Sequence, residues 1–395
     1  MKALFIAIVY FLLALVINRG YHALYGYTLA AAGNVPVAER KINWDNTTLK
    51  QISPAGATAF YPRMIQLQDE SLLIAYASKG NIIIQKSLAG GWQWQQMIVA
   101  AEKADGINMD TPELLQLING DLLLCYNGRP LGALKGLPET GKKFDIRVKK
   151  SYDKGLTWRD EKIIYKAGES FKDGCWEPAA IQLPTGEIQL FFSDEALYTT
   201  SNEQNISMLH SPDNGMSWPL HPQVISFRKN SRDGMPVPIW LQPQKEVAIA
   251  IEDPAVKNFK PCIIHSSVMG KWEHTVGGSD NKRIFALADH LADTIYAGAP
   301  YLRQLSTGIT VLSYQSTENR NGKNTDENAV MIVATGDAYA GGFDNKTLPF
   351  IVPEGYHALW NSLCVTKGDT IIAITSTNGF SRSISEIWMI KGYLK

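Results

Sequence analysis

The sequence predicts an all-β fold, a six-bladed β-propeller whose blades are four-stranded antiparallel sheets. Three observations predict it: a strand–turn–strand pattern occurs six times, an eight-residue turn motif occurs twice, and no long amphipathic helix follows the first 32 residues. A repeat of this length is one supersecondary unit that buries its apolar faces only against its neighbours. Radial repetition of four-stranded sheets around a channel is the propeller solution.

Each copy of the repeat starts with proline or an equivalent residue, continues as an apolar strand, turns, and returns as a second apolar strand. The first copy runs from Tyr61 to Leu67 and returns from Leu72 to Tyr76. Proline is tolerated at the first residue of a strand because it removes no ladder hydrogen bond there. The six starts are Pro62, Pro112, Pro178, Pro236, Pro300 and Trp360, at intervals of 50, 66, 58, 64 and 60 residues.

The turn motif has the pattern Ser-x-Asp-x-Gly-x-(Thr/Ser)-Trp and is found at residues 151–158 and 211–218. The aspartate can accept backbone N–H bonds, the glycine can take a positive φ, and the tryptophan can pack under the turn. We therefore interpret the motif as structural rather than catalytic. Strand order predicts that these turns lie on the face opposite the functional mouth.

The composition argues against a nucleic-acid partner, a metal and a cofactor. The 395 residues carry 38 basic and 38 acidic side chains, so the net charge gives no electrostatic footprint for nucleic acid. The four cysteines are far apart in sequence and are interpreted as small buried hydrophobic residues, with Cys175 the one to check for pairing. The histidines are scattered and no phosphate loop is present, so we expect no metal and no cofactor.

The N-terminus predicts export. Lys2 precedes an apolar run from Ala3 to Ile17, which matches a secretory h-region and is short for a membrane span. Residues 1–32 are thus interpreted as a signal peptide or N-terminal anchor with a linker, and residues 33–395 as the propeller. We expect a periplasmic or extracellular protein with no membrane contact beyond that segment. A chain that closes its own propeller is expected to be a monomer.

Strand direction predicts that the starts of the first strands and the ends of the second strands ring one mouth of the channel, where a propeller usually builds its site. Glu177 lies directly before Pro178, and Glu252 directly follows the apolar run 247–251. Carboxylates at an apolar, aromatic mouth can have raised pKa values and act as acids or bases. Further candidates at the mouth are Tyr61, Arg63, Asp110, Asn127, Trp176, Arg232, Tyr301, Arg303 and Tyr356.

Arg303 departs from the repeat, because the other copies carry aliphatic residues such as Ile65 and Leu115 at its position. A charge there requires a partner or a water-filled channel. Two interpretations follow, an arginine paired with a core carboxylate or an axial arginine facing substrate.

The repeat, the turn motifs and the Trp176-Glu177-Pro178 segment resemble the sialidase superfamily, whose BNR repeat carries this motif as the Asp box. Within it, Glu177 in blade three with Glu252 in blade four is similar to the exo-1,5-α-L-arabinanase family. That resemblance implies a glycoside hydrolase that removes units from the non-reducing ends of glycans with retention. It implies Glu252 as nucleophile, Glu177 as general acid/base and Tyr356 as a hydrogen-bonding partner near the anomeric carbon.

Two alternatives remain open at the level of the sequence. A true sialidase would use Tyr356 as nucleophile with Glu252, Asp110 as acid, and Arg63, Arg232 and Arg303 as a carboxylate clamp. The Tyr61-Pro62-Arg63 start replaces the usual Arg-Ile-Pro of that group, and Glu177 would have no role. The third possibility is a non-catalytic propeller that binds glycans, since a fold does not determine a function.

Overall fold

The computed structural model describes residues 40–88, 90–134, 141–254 and 258–395. The predicted signal or anchor segment, residues 1–32, lies outside the described residues. The described chain forms six antiparallel sheets of four strands each, which confirms the predicted six-bladed propeller. Helical structure in the described ranges is limited to single turns at Leu131–Leu134, Val268–Gly270 and Asp326–Asn328, and none of these is long enough to cross a membrane.

Within each blade the strands are hydrogen-bonded in chain order from the axis outward, with one exception at the closure. Blades one to three consist of β2 (Phe60–Gln66), β3 (Leu72–Ser78), β4 (Asn81–Ser87) and β5 (Ile98–Ala101); β6 (Ile107–Gln116), β7 (Leu122–Pro130), β8 (Asp145–Ser151) and β9 (Arg159–Lys166); β10 (Cys175–Gln182), β11 (Ile188–Asp194), β12 (Asn205–Ser211) and β13 (Gln223–Ser226). Blades four to six consist of β14 (Gly234–Leu241), β15 (Glu246–Asp253), β16 (Lys260–His265) and β17 (Arg283–Phe285); β18 (Ala297–Gln304), β19 (Thr310–Ser316), β20 (Val330–Gly336) and β21 (Asp344–Thr347); β22 (Ala358–Val365), β23 (Ile371–Thr377), β24 (Glu386–Leu394) and β1 (Ile42–Gln51).

The ring is closed by the first strand of the described chain. β1 pairs antiparallel with β24 and forms the outermost strand of blade six. The sequence of β1, INWDNTTLKQ, is polar and carries no copy of the apolar repeat, so self-similarity did not reveal it. Its ladder joins blade six to the start of the chain and ties the two ends of the propeller together.

The second strands of the blades are buried on both faces. In β3 the six residues from Leu72 to Ala77 are buried, and in β15 the run from Val247 to Ile251 is fully buried. Such strands read as continuous apolar runs because each blade lies between two others. All four cysteines fall within the described ranges and are buried free thiols, which confirms their interpretation as core residues and excludes a disulfide at Cys175.

A β-bulge interrupts the innermost strand of every blade directly before the position of the proline. Ladder registers shift at this point in all six blades. Bulges re-aim side chains, and a non-glycine residue with positive φ costs about 1–3 kcal/mol. The residues with positive φ are Tyr61 (51°), Thr111 (44°), Glu177 (48°), Met235 (50°), Ala299 (47°) and Trp360 (49°).

The bulges correct the alignment of blade six. Trp360 shares its φ with Glu177 and Tyr61, so it corresponds to the residue before the proline, and Asn361 takes the position of the proline. The predicted frame was wrong by one residue there, because blade six has no proline to mark it.

The two Ser-x-Asp turns lie between the third and fourth strands of blades two and three. In the second, Asp213 accepts hydrogen bonds from the Ser217 N–H (2.8 Å) and hydroxyl (2.6 Å). Gly215 has a φ of 82°, and the Trp218 Nε1–H donates to its carbonyl at 3.1 Å. These are the contacts expected of a structural turn. Its position on the face opposite the mouth stays a prediction from strand order.

Candidate active site

Four of the bulges are held in place by a side chain at the end of the second strand of the preceding blade. In each case this side chain accepts a hydrogen bond from the N–H of the bulge residue. The pairs are Glu177 with Asn127 Oδ1 (2.9 Å), Met235 with Ser193 Oγ (3.0 Å), Ala299 with Glu252 Oε2 (2.9 Å) and Trp360 with Gln315 Oε1 (2.8 Å). A neutral oxygen fills three of these positions, so the architecture does not require the charge of Glu252.

Glu252 lies in a pocket shaped by two glycines. A methyl group built on Gly298 would lie 2.9 Å from Glu252 Oε2, and one built on Gly234 would lie 3.1 Å from Oε1. Burial and, less strongly, the charge of Asp326 raise the pKa of Glu252, the Ala299 N–H and Arg232 lower it, and the net result is a pKa of about 7. The group can therefore change its protonation state near neutral pH.

Glu177 projects from the neighbouring blade toward the same mouth, and 18% of its side chain is exposed. Burial raises its pKa to about 7; Arg129 acts to lower that pKa, whereas Glu252 and Asp110 raise it. Arg129 Nη2 lies 3.6 Å from Glu177 Oε1, an ion pair longer than a hydrogen bond. The charge of Glu252 is among the causes that raise the pKa of Glu177, so the two carboxyl groups interact across the mouth.

Arg129 is buried between the two acidic groups and two aromatic rings. Its Nη1 donates to Asp110 Oδ2 at 3.2 Å. Its guanidinium carbon lies 5.1 Å from the centre of the Trp176 ring and 5.6 Å from that of Tyr61. Only 9% of the side chain is exposed. Arg129 was not among the predicted site residues, although its place at the end of a second strand was visible in the sequence.

Tyr296 is a second residue that the sequence analysis missed. A methyl group on Gly298 would lie 2.7 Å from its hydroxyl oxygen, on the same side as Glu252 Oε2. The hydroxyl accepts a hydrogen bond from Gln315 Nε2 at 2.7 Å. Burial raises the pKa of Tyr296, and the charge of Glu252 raises it further. An aromatic residue four positions before Pro300 was the available signal.

Tyr356 lies in the turn before β22 and is half-buried. Its backbone carbonyl accepts a hydrogen bond from Arg320 Nη2 at 2.7 Å. The neighbouring segment 317–328 reaches the mouth, because the charge of Asp326 acts on Glu252, Tyr296 and His357. The structure thus brings Tyr296 to Glu252 and places Tyr356 on the adjoining loop.

A second charged layer lies beneath the mouth and contains three of the predicted site residues. Glu113 accepts hydrogen bonds from the Tyr301 hydroxyl at 3.1 and 3.2 Å and pairs with Arg63 Nε at 3.4 Å. Arg303 Nη2 donates to the Tyr301 hydroxyl at 2.5 Å and lies 3.8 Å from Glu113. Of the two interpretations of Arg303, the structure supports the arginine paired with a core carboxylate. Arg63 and Tyr301 are buried in the same cluster.

The three arginines of the possible carboxylate clamp do not converge. Arg63 and Arg303 both face Glu113, whereas Arg232 Nη2 binds Glu195 Oε1 at 2.5 Å. Glu195 also accepts a hydrogen bond from the Trp176 Nε1–H at 2.9 Å. Arg232 and Trp176 therefore form one wall of the mouth through their shared carboxylate.

Asn127 has no capacity left for a substrate. Its Nδ2 donates to the carbonyls of Asp145 (3.2 Å) and Cys175 (2.9 Å), and its Oδ1 accepts from the Thr111 hydroxyl (2.7 Å) and the Glu177 N–H. The side chain is fully buried. The expectation that Asn127 contacts substrate is wrong, because all four of its hydrogen bonds are made inside the protein.

An aromatic cluster stands across the channel from the two glutamates, in blades six and one. The rings of Tyr61 and Trp360 stack with centroids 4.7 Å apart and an interplanar angle of 27°. Phe60 meets Trp360 edge-on at 5.3 Å. Among the described residues, no group of three or more His, Cys, Asp or Glu side chains is arranged to hold a metal.

Comparison with solved structures finds the same fold in proteins of low sequence identity. A protein of unknown function from Dyadobacter fermentans matches with a TM-score of 0.67 and 14% identity, over 90% of this chain and 99% of its own. The GH93 α-L-arabinofuranosidase of Fusarium graminearum, solved with arabinobiose, matches with a TM-score of 0.64 and 17% identity, over 87% and 97%. The NanB sialidase of Streptococcus pneumoniae matches with a TM-score of 0.58 and 11% identity, over 86% and 70%.

No family model and no curated protein sequence matches the chain. The structural matches confirm the resemblance to sialidase-like propellers and to arabinanases at the level of the fold. At these identities the fold is what they establish.

Proposed function

We propose that this propeller is a glycoside hydrolase that removes units from the non-reducing ends of glycans by a retaining mechanism. The observation that carries the proposal is the pair of half-buried glutamates, Glu177 and Glu252, at one mouth in adjacent blades, each with its pKa raised to about 7. Most glycosidases use two carboxyl groups in one site, one that carries a proton and one that is ionised.

The hydrogen bonds of the two glutamates favour different roles. Glu252 accepts the Ala299 N–H at 2.9 Å, a bond that stabilises its carboxylate form. Within the part of the chain that the structure describes, the Glu177 carboxyl has only the long ion pair with Arg129 at 3.6 Å, so it retains a proton more readily. This difference supports Glu252 as the nucleophile and Glu177 as the acid.

In the first step the Glu252 carboxylate attacks the anomeric carbon, and Glu177 transfers its proton to the leaving oxygen as the glycosidic bond breaks. In the second step the Glu177 carboxylate takes a proton from water, the water oxygen attacks the same carbon, and Glu252 departs as carboxylate. The Tyr296 hydroxyl and Glu252 Oε2 both lie against Gly298, and we propose Tyr296, rather than Tyr356, as the hydrogen-bonding partner of the nucleophile.

Two observations favour an uncharged sugar over sialic acid. Arg63 and Arg303 are engaged with Glu113, so the mouth lacks a three-arginine clamp. The charges that act on Glu177 include three other carboxylates and one arginine, an excess of negative charge that opposes an anionic substrate. The structural neighbours solved with arabinobiose make α-1,5-linked arabino-oligosaccharides the first substrates to test. Export and a monomeric state stay predictions.

The test is a turnover assay of the full chain on linear arabino-oligosaccharides and on a fluorogenic sialoside. Wild type, Glu177→Gln and Glu252→Gln are compared, with Glu246→Gln as a control that removes a carboxylate paired with Lys282 at 3.1 Å elsewhere in blade four. We expect arabinose release that collapses in the two mouth variants and persists in the control. Sialic acid release that survives Glu177→Gln would overturn the proposal. Absence of turnover on neutral glycans of every linkage tested would favour a binding propeller.

A further inference from the structure

The guanidinium of Arg129 lies between the carboxylates of Asp110 and Glu177 and binds them unequally. Its Nη1 makes a hydrogen bond of 3.2 Å to Asp110, whereas its Nη2 remains 3.6 Å from Glu177. Both Nη2 and Nε are buried and lack a hydrogen bond of normal geometry to the described residues. Leaving a buried donor unpaired costs free energy, more so on a charged group. The arrangement is therefore poised to form one more bond.

Two aromatic rings flank Arg129. The rings of Trp176 and Tyr61 lie 5.1 and 5.6 Å from its guanidinium carbon. Stacking against aromatic rings suits the planar guanidinium. A displacement of Nη2 by about half an ångström would bring it within the 2.7–3.2 Å range of a hydrogen bond to Glu177.

The two carboxylates are anchored to a common residue. Asp110 Oδ1 accepts the Thr111 N–H at 2.8 Å, which keeps Asp110 partly satisfied if Arg129 moves away. The Thr111 hydroxyl and the Glu177 N–H both donate to Asn127 Oδ1. Asp110 and Glu177 thus project from two strands that Asn127 links, and Arg129 lies between the two carboxylates.

We infer that Arg129 exchanges its hydrogen bond from Asp110 to Glu177 when Glu177 loses its proton, so that Arg129 and Asp110 act as positioning residues for the acid/base group. This inference rests on the proposed function for its catalytic meaning, although the exchange itself is a property of the protein alone. Asp110 holds Arg129 away while Glu177 carries the proton. Arg129 then stabilises the Glu177 carboxylate that remains after proton transfer.

Other ionisable groups also face Glu177 and must be separated from this effect. They are Tyr61 on β2, Cys175 on the same strand, Glu195 after β11 and Glu252 on β15, with Arg63 and Glu113 lining a cavity of about 10 Å³ beneath it. Their charges act on Glu177 through space whether or not Arg129 moves. A test must therefore distinguish the fixed electrostatic effect of these groups on the Glu177 pKa from a movement of Arg129 between the two carboxylates.

The first test is a pair of crystal structures of the full chain at pH 5 and pH 9. We expect the distance from Arg129 Nη2 to Glu177 Oε1 to fall from 3.6 Å to a hydrogen bond at pH 9, and the Asp110 bond of 3.2 Å to lengthen. Unchanged distances at the two pH values would overturn the exchange.

The second test is a double-mutant cycle read by ¹³C NMR titration of the Glu177 carboxyl, in a Glu252→Gln background that removes the coupled neighbour. Asp110→Asn is expected to lower the Glu177 midpoint by about one pH unit, a tenfold change in ionisation. In the Arg129→Met variant, Asp110→Asn is expected to shift the Glu177 midpoint by less than about a third of a pH unit, because the guanidinium that connects the two carboxylates is absent. Arg129→Gln, which removes the charge and keeps a polar side chain, replaces Arg129→Met if that variant does not fold.

Equal effects of Asp110→Asn with and without Arg129 would show a static field and overturn the inference. Glu161→Gln is the matched control, since it removes a carboxylate bound to the buried Arg147 of the same blade at 3.0 Å, and it is expected to leave the Glu177 midpoint unchanged. The titration needs no substrate. A coupled titration without glycan turnover would contradict the proposed function alone, and turnover without coupling would contradict the exchange alone.

Discussion

Two layers of the central channel contain the same kinds of residue and differ in how completely these are paired. In the lower layer Glu113 is bound by the Tyr301 hydroxyl and faces the guanidinium groups of Arg63 and Arg303. In the upper layer Glu177 and Glu252 share the mouth with Arg129, whose Nη2 makes only a 3.6 Å ion pair with Glu177 and no hydrogen bond of normal geometry to the described residues. A fully paired carboxylate holds strands together, whereas an under-paired one keeps a proton available.

The two layers come from one structural device. Tyr61, Glu177 and the other bulge residues project into the mouth, and the residue two positions later on the same strand, such as Arg63, Glu113 or Tyr301, falls in the lower layer. The same repeat therefore supplies both the stabilising cluster and the reactive one. Substitutions in either layer test whether the two clusters differ in function as they do in pairing.

The largest effect is expected in the upper layer, from Glu252→Gln. Glutamine can still accept the Ala299 N–H, as Gln315 does for Trp360 one blade further on. We therefore expect a folded protein whose kcat falls by about 10⁴-fold or more, because the nucleophile is lost. Steady-state kinetics with a thermal melt checks this, and retention of more than about a tenth of the activity would remove Glu252 from the chemistry.

The next effect is expected in the lower layer, from Glu113→Gln. The change leaves Arg63 and Arg303 without their carboxylate, and breaking a buried ion pair in this way costs about 3–5 kcal/mol. Urea denaturation should show this loss in the free energy of unfolding. The pH profile of kcat should be unchanged, because Glu177 and Glu252 lie in the upper layer, and a shifted profile would mean that the two layers are not separate in function.

A smaller effect with a defined pH dependence is expected from Glu177→Gln. Burial raises the folded-state pKa of Glu177 to about 7, above its unfolded value near 4.3. The contribution of the protonated Glu177 side chain to the free energy of unfolding is therefore fully present below the unfolded pKa, and it is lost as the pH rises through the folded pKa.

Glutamine has no charge to lose, so the variant should exceed wild type in stability by about 1–2 kcal/mol at pH 8.5 and match it at pH 4. Denaturant titrations at the two pH values provide the measurement. An equal difference at both would show that the Glu177 carboxyl is not destabilised by burial.

The smallest effect is expected far from both layers, from Asp213→Ala in the turn of blade three. Its hydrogen bonds to Ser217 and Met216 are exposed, so we expect a loss of about 1 kcal/mol and unchanged kinetics. Asp344→Ala, at an exposed position of β21, is the control. A change in kcat would connect this turn to the active site.

The sequence was sufficient where a local pattern marks the position of a residue. Prolines mark five of the six bulges, so Glu177 could be placed before Pro178 and Glu252 at the end of an apolar strand. Blade six lacks the proline, and its frame was displaced by one residue. The partner of Arg303 is 190 positions away in sequence and meets it only when the ring closes, which a local pattern cannot show.

Hydrogen-bond capacity was also beyond the sequence. Asn127 looked like a substrate ligand because it ends a second strand, yet its amide is consumed by four internal bonds. Tyr296 was overlooked because its side chain reaches Glu252 only through the gap left by Gly298. Both outcomes depend on side-chain packing between blades rather than on the order of residues within one.

The retaining role of Glu252 can be tested by trapping the covalent intermediate. Full-length wild type and Glu177→Gln are incubated with a 2-deoxy-2-fluoro glycosyl fluoride of the sugar that is turned over, and the labelled peptide is sequenced by mass spectrometry. The two-carboxylate mechanism predicts a single glycosyl ester on Glu252 that also forms in Glu177→Gln, since fluoride needs no acid to depart. A label on Tyr296 or Tyr356, or turnover with no covalent adduct, would contradict it.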